Sequence, residues 1–72
     1  MDDIKAVVNN YGVVFYVNFA TDRDALADLL GELGGVRSLT TPDRAQLDYG
    51  NGLTKDSARR ILKRRGVPFS ET

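Results

Sequence analysis

Neither cysteine nor histidine occurs in these 72 residues. That excludes a disulfide framework and any thiolate or imidazole metal site, leaving carboxylates as the only strong metal donors. It also removes the side chains that most often act as nucleophile or general base near neutral pH. No apolar run exceeds Val13–Val17, far too short to span a bilayer. The opening MDDIK has no basic segment followed by a long apolar core, so neither a signal peptide nor a membrane partner is expected. Lack of cysteine fits a reducing compartment, and a cytoplasmic location is the expectation. Net charge is absent too, with 10 Lys or Arg against 10 Asp or Glu.

The distribution of charge is less even. Residues 1–36 hold Asp2, Asp3, Asp22, Asp24, Asp28 and Glu32 against Lys5 and Arg23, whereas residues 37–72 hold 8 basic against 4 acidic side chains. The halves therefore attract one another, or leave a basic end for DNA or RNA. A chain this short buries only roughly 60% of its unfolded surface, and small domains commonly add disulfides, a metal or a partner. With the first two disfavoured by composition, a protein partner, and a homodimer in particular, is the expectation.

The hydrophobic period changes along the chain. IKAVVNN and VVFYVNFA have the β-branched and aromatic content of strands, with Asn9, Asn10 and Gly12 as turn formers between them. They predict a hairpin of residues 4–9 and 13–20. TDRDALADLLGELGG then takes a helical period, with Ala25, Leu26, Leu29, Leu30 and Leu33 on one stripe. Thr21 is its expected N-cap and Gly34-Gly35 its stop. VRSLTT and AQLDYG predict a second hairpin around Pro42. Thr54 and Gly66 bracket a second helix at 55–65, after which Val67-Pro68-Phe69 runs extended and suits a sheet edge.

The fold class expected is α+β, a single two-layer domain over residues 1–72 of order β-β-α-β-β-α. Its sheet would be four-stranded and mostly antiparallel, with two helices on one face. Thr21, Ala25, Leu29 and Gly35-Val36 recur as Thr54, Ala58, Leu62 and Gly66-Val67, a pattern consistent with a degenerate ββα repeat of 4–36 and 37–69. The expected core comprises Phe15, Val17, Phe19, Leu26, Leu29, Leu30, Leu33, Leu47, Ile61 and Leu62.

Two short stretches resemble known families. ARRILKRRGVPF, residues 58–69, is similar to the helix-to-strand joint of glutaredoxins, but the paired cysteines of those redox enzymes are absent. LADLLGELGG followed by two strands and a helix resembles the LAGLIDADG endonuclease motif. That family ends its motif helix on an acidic metal ligand, where this chain has Leu33-Gly34 and carries Glu32 a position or two early. Neither resemblance implies a catalytic residue here.

Most acids have a local explanation. Asp22 and Asp24 suit a helix start, Asp43 a turn and Asp56 a first helical turn. No glycine-rich loop has phosphate-binding spacing. No catalytic, metal or cofactor-binding residue is identified, no small-molecule ligand is implied, and a non-enzyme is expected. Two surfaces stand out instead. Arg59, Arg60, Lys63 and Arg64 fill the side of the second helix opposite Ala58, Ile61 and Leu62, a candidate phosphate-binding face. Val14 and Tyr16 of the second strand, joined by Val7 of the first, form an apolar sheet face on the side away from Phe15, a candidate partner-binding surface. The expected function is a small protein-interaction module (adaptor, regulator or inhibitor) that self-associates. The alternative is a nucleic-acid-binding regulatory protein using the basic helix face.

Overall fold

The computed structural model describes residues 4–72, the side chain of Phe19 excepted. Asp2 and Asp3 of the acidic half, and Phe19 as a core member, therefore lie outside the described residues. The elements are β1 (Lys5–Val8), β2 (Gly12–Tyr16), α1 (Phe19–Leu33), β3 (Val36–Thr41), β4 (Arg44–Asp48), α2 (Lys55–Arg65) and β5 (Phe69–Glu71).

The α+β class holds, but the sheet has five strands rather than four, in the order β3-β4-β2-β1-β5. It is also mixed, because β5 runs parallel to β1 while the β1–β2, β2–β4 and β3–β4 pairs are antiparallel. The extra strand, β5, starts at Phe69, the end of the extended Val67-Pro68-Phe69 segment, and runs through Ser70 and Glu71. Pro68 lies just before β5, at the sheet edge, where its missing N–H breaks no ladder. The Ala6 N–H donates to its carbonyl at 3.0 Å, and Arg59 of α2 pairs with Glu71 at 2.6 Å. These contacts hold at the sheet edge a tail that ends the sequence.

The second correction concerns the start of α1. Asn18, not Thr21, is the N-cap, and its side-chain oxygen accepts from the Ala20 N–H at 3.0 Å. The Asn18 carbonyl accepts from the N–H groups of Thr21 and Asp22, and asparagine is the stronger capping residue. The helix thus takes Phe19 and Ala20 from the expected strand, and β2 ends at Tyr16. At its far end Gly34 (φ 80°) donates to the Leu30 carbonyl.

Hairpin and second helix follow local rules. Asn9 Oδ1 accepts from the N–H groups of Tyr11 and Gly12 at 2.8 and 2.9 Å, an Asx turn joining β1 to β2. Gly12 is required by approach rather than by φ: a Cβ there would stand 1.9 Å from the Leu47 carbonyl oxygen of β4. Thr54 caps α2 reciprocally with Ser57, at 3.1 and 2.9 Å, and left-handed Gly66 closes it.

Both helices bury their apolar sides against one face of the sheet. Ala6, Val8, Val13, Phe15, Ala45 and Leu47 from the strands meet Leu26, Leu29, Leu30, Leu33, Ala58 and Leu62 in a single cluster. Ile61 packs against this cluster without being fully buried. Leu53, 2% exposed, adds a core member from the loop before α2. β3 contributes no buried residue, because the α1 leucines lie over the strands inside it. Asp22 is 4% exposed, and its Oδ2 is buried without a hydrogen-bond partner among the described residues.

Candidate interaction surfaces

The alternation that buries Phe15 and Leu47 turns their neighbours to the opposite face of the sheet, which neither helix covers. Strand register arranges these residues in rows. Lys5, Tyr16, Arg44 and Thr41 stand abreast on β1, β2, β4 and β3. The next row is Ser70, Val7, Val14, Gln46 and Leu39, crossing all five strands. A third holds Gly12, Asp48 and Val36.

The predicted partner-binding residues are therefore brought together. Val7 is directly opposite Val14, and Tyr16, 45% exposed, stands in the adjacent row. Leu39, 40% exposed, extends the apolar row beyond Gln46. Val67-Pro68-Phe69 does not fold over this face. Phe69 registers with buried Ala6 and packs against the core, while Pro68 and Ser70 border the open side, in a shallow hollow shared with Lys5, Val7 and Tyr16.

Sequence reasoning missed Lys5, Arg44, Gln46 and Leu39 as parts of this surface. The signal for β4 was present, since RAQLD alternates polar and apolar side chains. Leu39 gave none, because the ladder shifts register between Arg37 and Leu39, and a bulge moves every later side chain to the other face. Charge on the face is polar in the directional sense. Lys5 and Arg44 flank Tyr16 at one end, while Asp48 at the other accepts from Ser38 at 3.1 Å and Gln46 at 3.2 Å.

The basic side of α2 is less free than its sequence implies. Arg59 pairs with Asp56 at 2.7 Å as well as with Glu71, and the Glu71 hydrogen bond raises its pKa further above the ordinary guanidinium value. Arg64 pairs with Glu32 of α1. Arg65 reaches Glu32 at 2.5 Å and Asp28 at 3.0 Å. Asp28 and Glu32, one turn apart on α1, are thus paired with α2 arginines inside the chain. Of the four candidate phosphate ligands, Arg60 and Lys63 have no ion pair among the described residues, while Arg59 and Arg64 do.

Behind the β1–β2 turn, the Tyr49 hydroxyl donates to the Asn9 carbonyl at 2.6 Å. Burial pushes this phenol above its ordinary value near 10, against the lowering effect of Arg59. Among the described residues, no group of three or more carboxylates comes together that could hold a metal ion. No helix among them is long and apolar enough to cross a membrane. Comparison of the chain with protein-family models, with curated proteins and with solved structures finds no match.

Proposed function

We propose that this protein is a small non-enzymatic interaction module, an adaptor, regulator or inhibitor, that self-associates through its open sheet face. One observation carries this reading: the row Val7, Val14 and Leu39, with Tyr16 beside it, has no covering element among the described residues. A solvated antiparallel face ordinarily alternates to polar side chains, and an apolar strip rimmed by charge marks a contact surface.

The charge pattern favours a second copy as the occupant. A two-fold, face-to-face arrangement lays the apolar row on its own counterpart. It also turns the Lys5 and Arg44 end of one copy toward the Asp48 end of the other. Light scattering after size exclusion at tens of micromolar protein is expected to report a dimer, and Tyr16→Glu a monomer with an unchanged circular dichroism spectrum. A wild-type monomer at millimolar concentration would refute the proposal.

The second reading, a nucleic-acid-binding regulator, rests on Arg60 and Lys63, whose cations no acid among the described residues engages. Two phosphate contacts on a duplex give a slope of log K against log salt of roughly −1.8. Salt-dependent binding to DNA or RNA at low ionic strength, abolished by Arg60→Gln with Lys63→Gln, would favour this reading.

A further inference from the structure

The two flanks of α1 differ. The flank toward α2 carries Asp28 and Glu32, both engaged by arginines. The flank toward β3 carries Arg23, Ala27, Leu30 and Gly31, and here helix and strand do not close on one another. No residue of β3 is buried. Its Arg37 and Thr40, which register with the core-facing Leu47 and Ala45, form the floor of a groove walled by α1. The groove has a volume of about 600 Å³, within the ~300–1,000 Å³ of common ligand sites. It continues past Gly31 and Gly34 through a second hollow that shares Ala27, Leu30 and Arg37 with the first. The small residues of α1 make this space: a Cβ added at Gly31 would meet nothing within 4 Å.

Three properties of the groove converge on one class of occupant. First, β3 is an edge strand, so one side of its backbone offers N–H and C=O groups with no ladder partner. Second, the groove walls are apolar and small, suited to alternate side chains of an extended segment. Third, the lining includes Arg23 and Arg37 and no carboxylate, and neither arginine has an ion pair among the described residues. The nearby acid of the β3–β4 turn, Asp43, accepts from the Thr41 hydroxyl at 2.9 Å.

We infer that this groove binds an extended acidic peptide, which adds to the edge of β3 as a further strand and sets alternate apolar side chains against α1. Backbone pairing supplies register, the helix wall selects small side chains, and Arg23 and Arg37 select carboxylates. A second copy does not supply the complementary charge, because β3 (VRSLTT) has Arg37 as its only charged residue and edge-to-edge pairing brings it no carboxylate. The surface is distinct from the open sheet face and does not depend on it.

The probe is a fluorescein-labelled pool of short peptides in which Asp or Glu alternates with Val or Thr, with a Lys-for-acid pool as control. Fluorescence anisotropy is expected to show saturable binding of the acidic pool that weakens with salt, and none of the basic pool. Arg23→Glu with Arg37→Glu should weaken binding roughly ten-fold or more. Gly31→Leu should do the same by filling the groove, with the thermal midpoint level or raised, since leucine is the better helix former. Amide shifts on titration should map to residues 20–31 and 36–41. These need no variant, and they separate this site from the Val7, Val14 and Tyr16 face. Absence of binding at millimolar peptide, equal binding of both pools, indifference to Gly31→Leu, or shifts confined to the open sheet face would each overturn the inference.

Discussion

Replacing Leu29 by alanine tests the side of α1 that carries the core. Leu29 is 2% exposed and belongs to the same cluster as Leu26, Leu30 and Leu33. Truncating a buried leucine to alanine loses its transfer free energy and leaves a hole, together ~2–5 kcal/mol. The surroundings narrow that range. Leu29 also lines a cleft between α1 and the α2–β5 joint, with Ile4, Ala25 and Val67. Walls that already border open space can relax into the hole, so a cost of ~2–3 kcal/mol is expected. Leu62 is 0% exposed and more enclosed, so Leu62→Ala belongs near ~4 kcal/mol. A domain of this length has a total stability of roughly 4–11 kcal/mol. At ~4–8 °C per kcal/mol, Leu29→Ala should lower the thermal midpoint by about 8–24 °C. Gly31→Ala, two residues along, is the internal control. Its new methyl touches nothing, and removing a mid-helix glycine gains ~0.8–1 kcal/mol. Urea unfolding followed by far-ultraviolet circular dichroism, with calorimetry for the midpoint, measures all three. A Leu29→Ala shift of only a degree or two, or a Leu62→Ala cost below that of Leu29→Ala, would refute the packing described.

Three further outcomes are expected. Glu32→Gln breaks the link to Arg64 and Arg65; because these side chains are partly solvated, the loss should stay below ~1 kcal/mol and shrink in high salt, as urea midpoints at two ionic strengths would show. Asp22→Asn should raise the thermal midpoint, since the lone buried carboxylate oxygen costs ~1–3 kcal/mol and its attraction to the helix start returns only ~0.3–1 kcal/mol; a lowered midpoint would mean that Oδ2 has found a partner in solution. Tyr49 has its pKa raised in the folded state, so its contribution is fully present below about pH 10, the unfolded value, and is lost as pH rises through the folded value. Ultraviolet titration should find one of the three tyrosines ionising late, and Tyr49→Phe should cost ~0.5–1.5 kcal/mol at neutral pH.

Local chemistry was readable wherever neighbours in the chain decide the outcome. The leucine stripe of α1, the Thr54 and Gly66 caps of α2, and the turn at Asn9 each rest on side chains a few residues apart. The start of α1 was misread because two capping residues, Asn18 and Thr21, lie one turn apart, and the apolar residues between them fit a strand equally well. The candidate partner-binding face was legible in part. Period two in β2 assigns Val14 and Tyr16 to the side away from Phe15, but their row is completed by β1, β3 and β4.

The sequence by itself determined the α+β class, the two helices and their buried sides, because periodicity and capping are properties of contiguous residues. Tertiary structure alone decided three matters. The tail became a fifth strand because the free edge of β1 accepted it in parallel and Arg59 met Glu71. The basic cluster on α2 was divided, since packing α2 against α1 set Arg64 and Arg65 beside Asp28 and Glu32 and left Arg60 and Lys63 facing solvent. The groove along β3 opened because α1 lies over the inner strands, and a side chain's distance from a strand two positions away in the sheet is written in no local stretch of the chain.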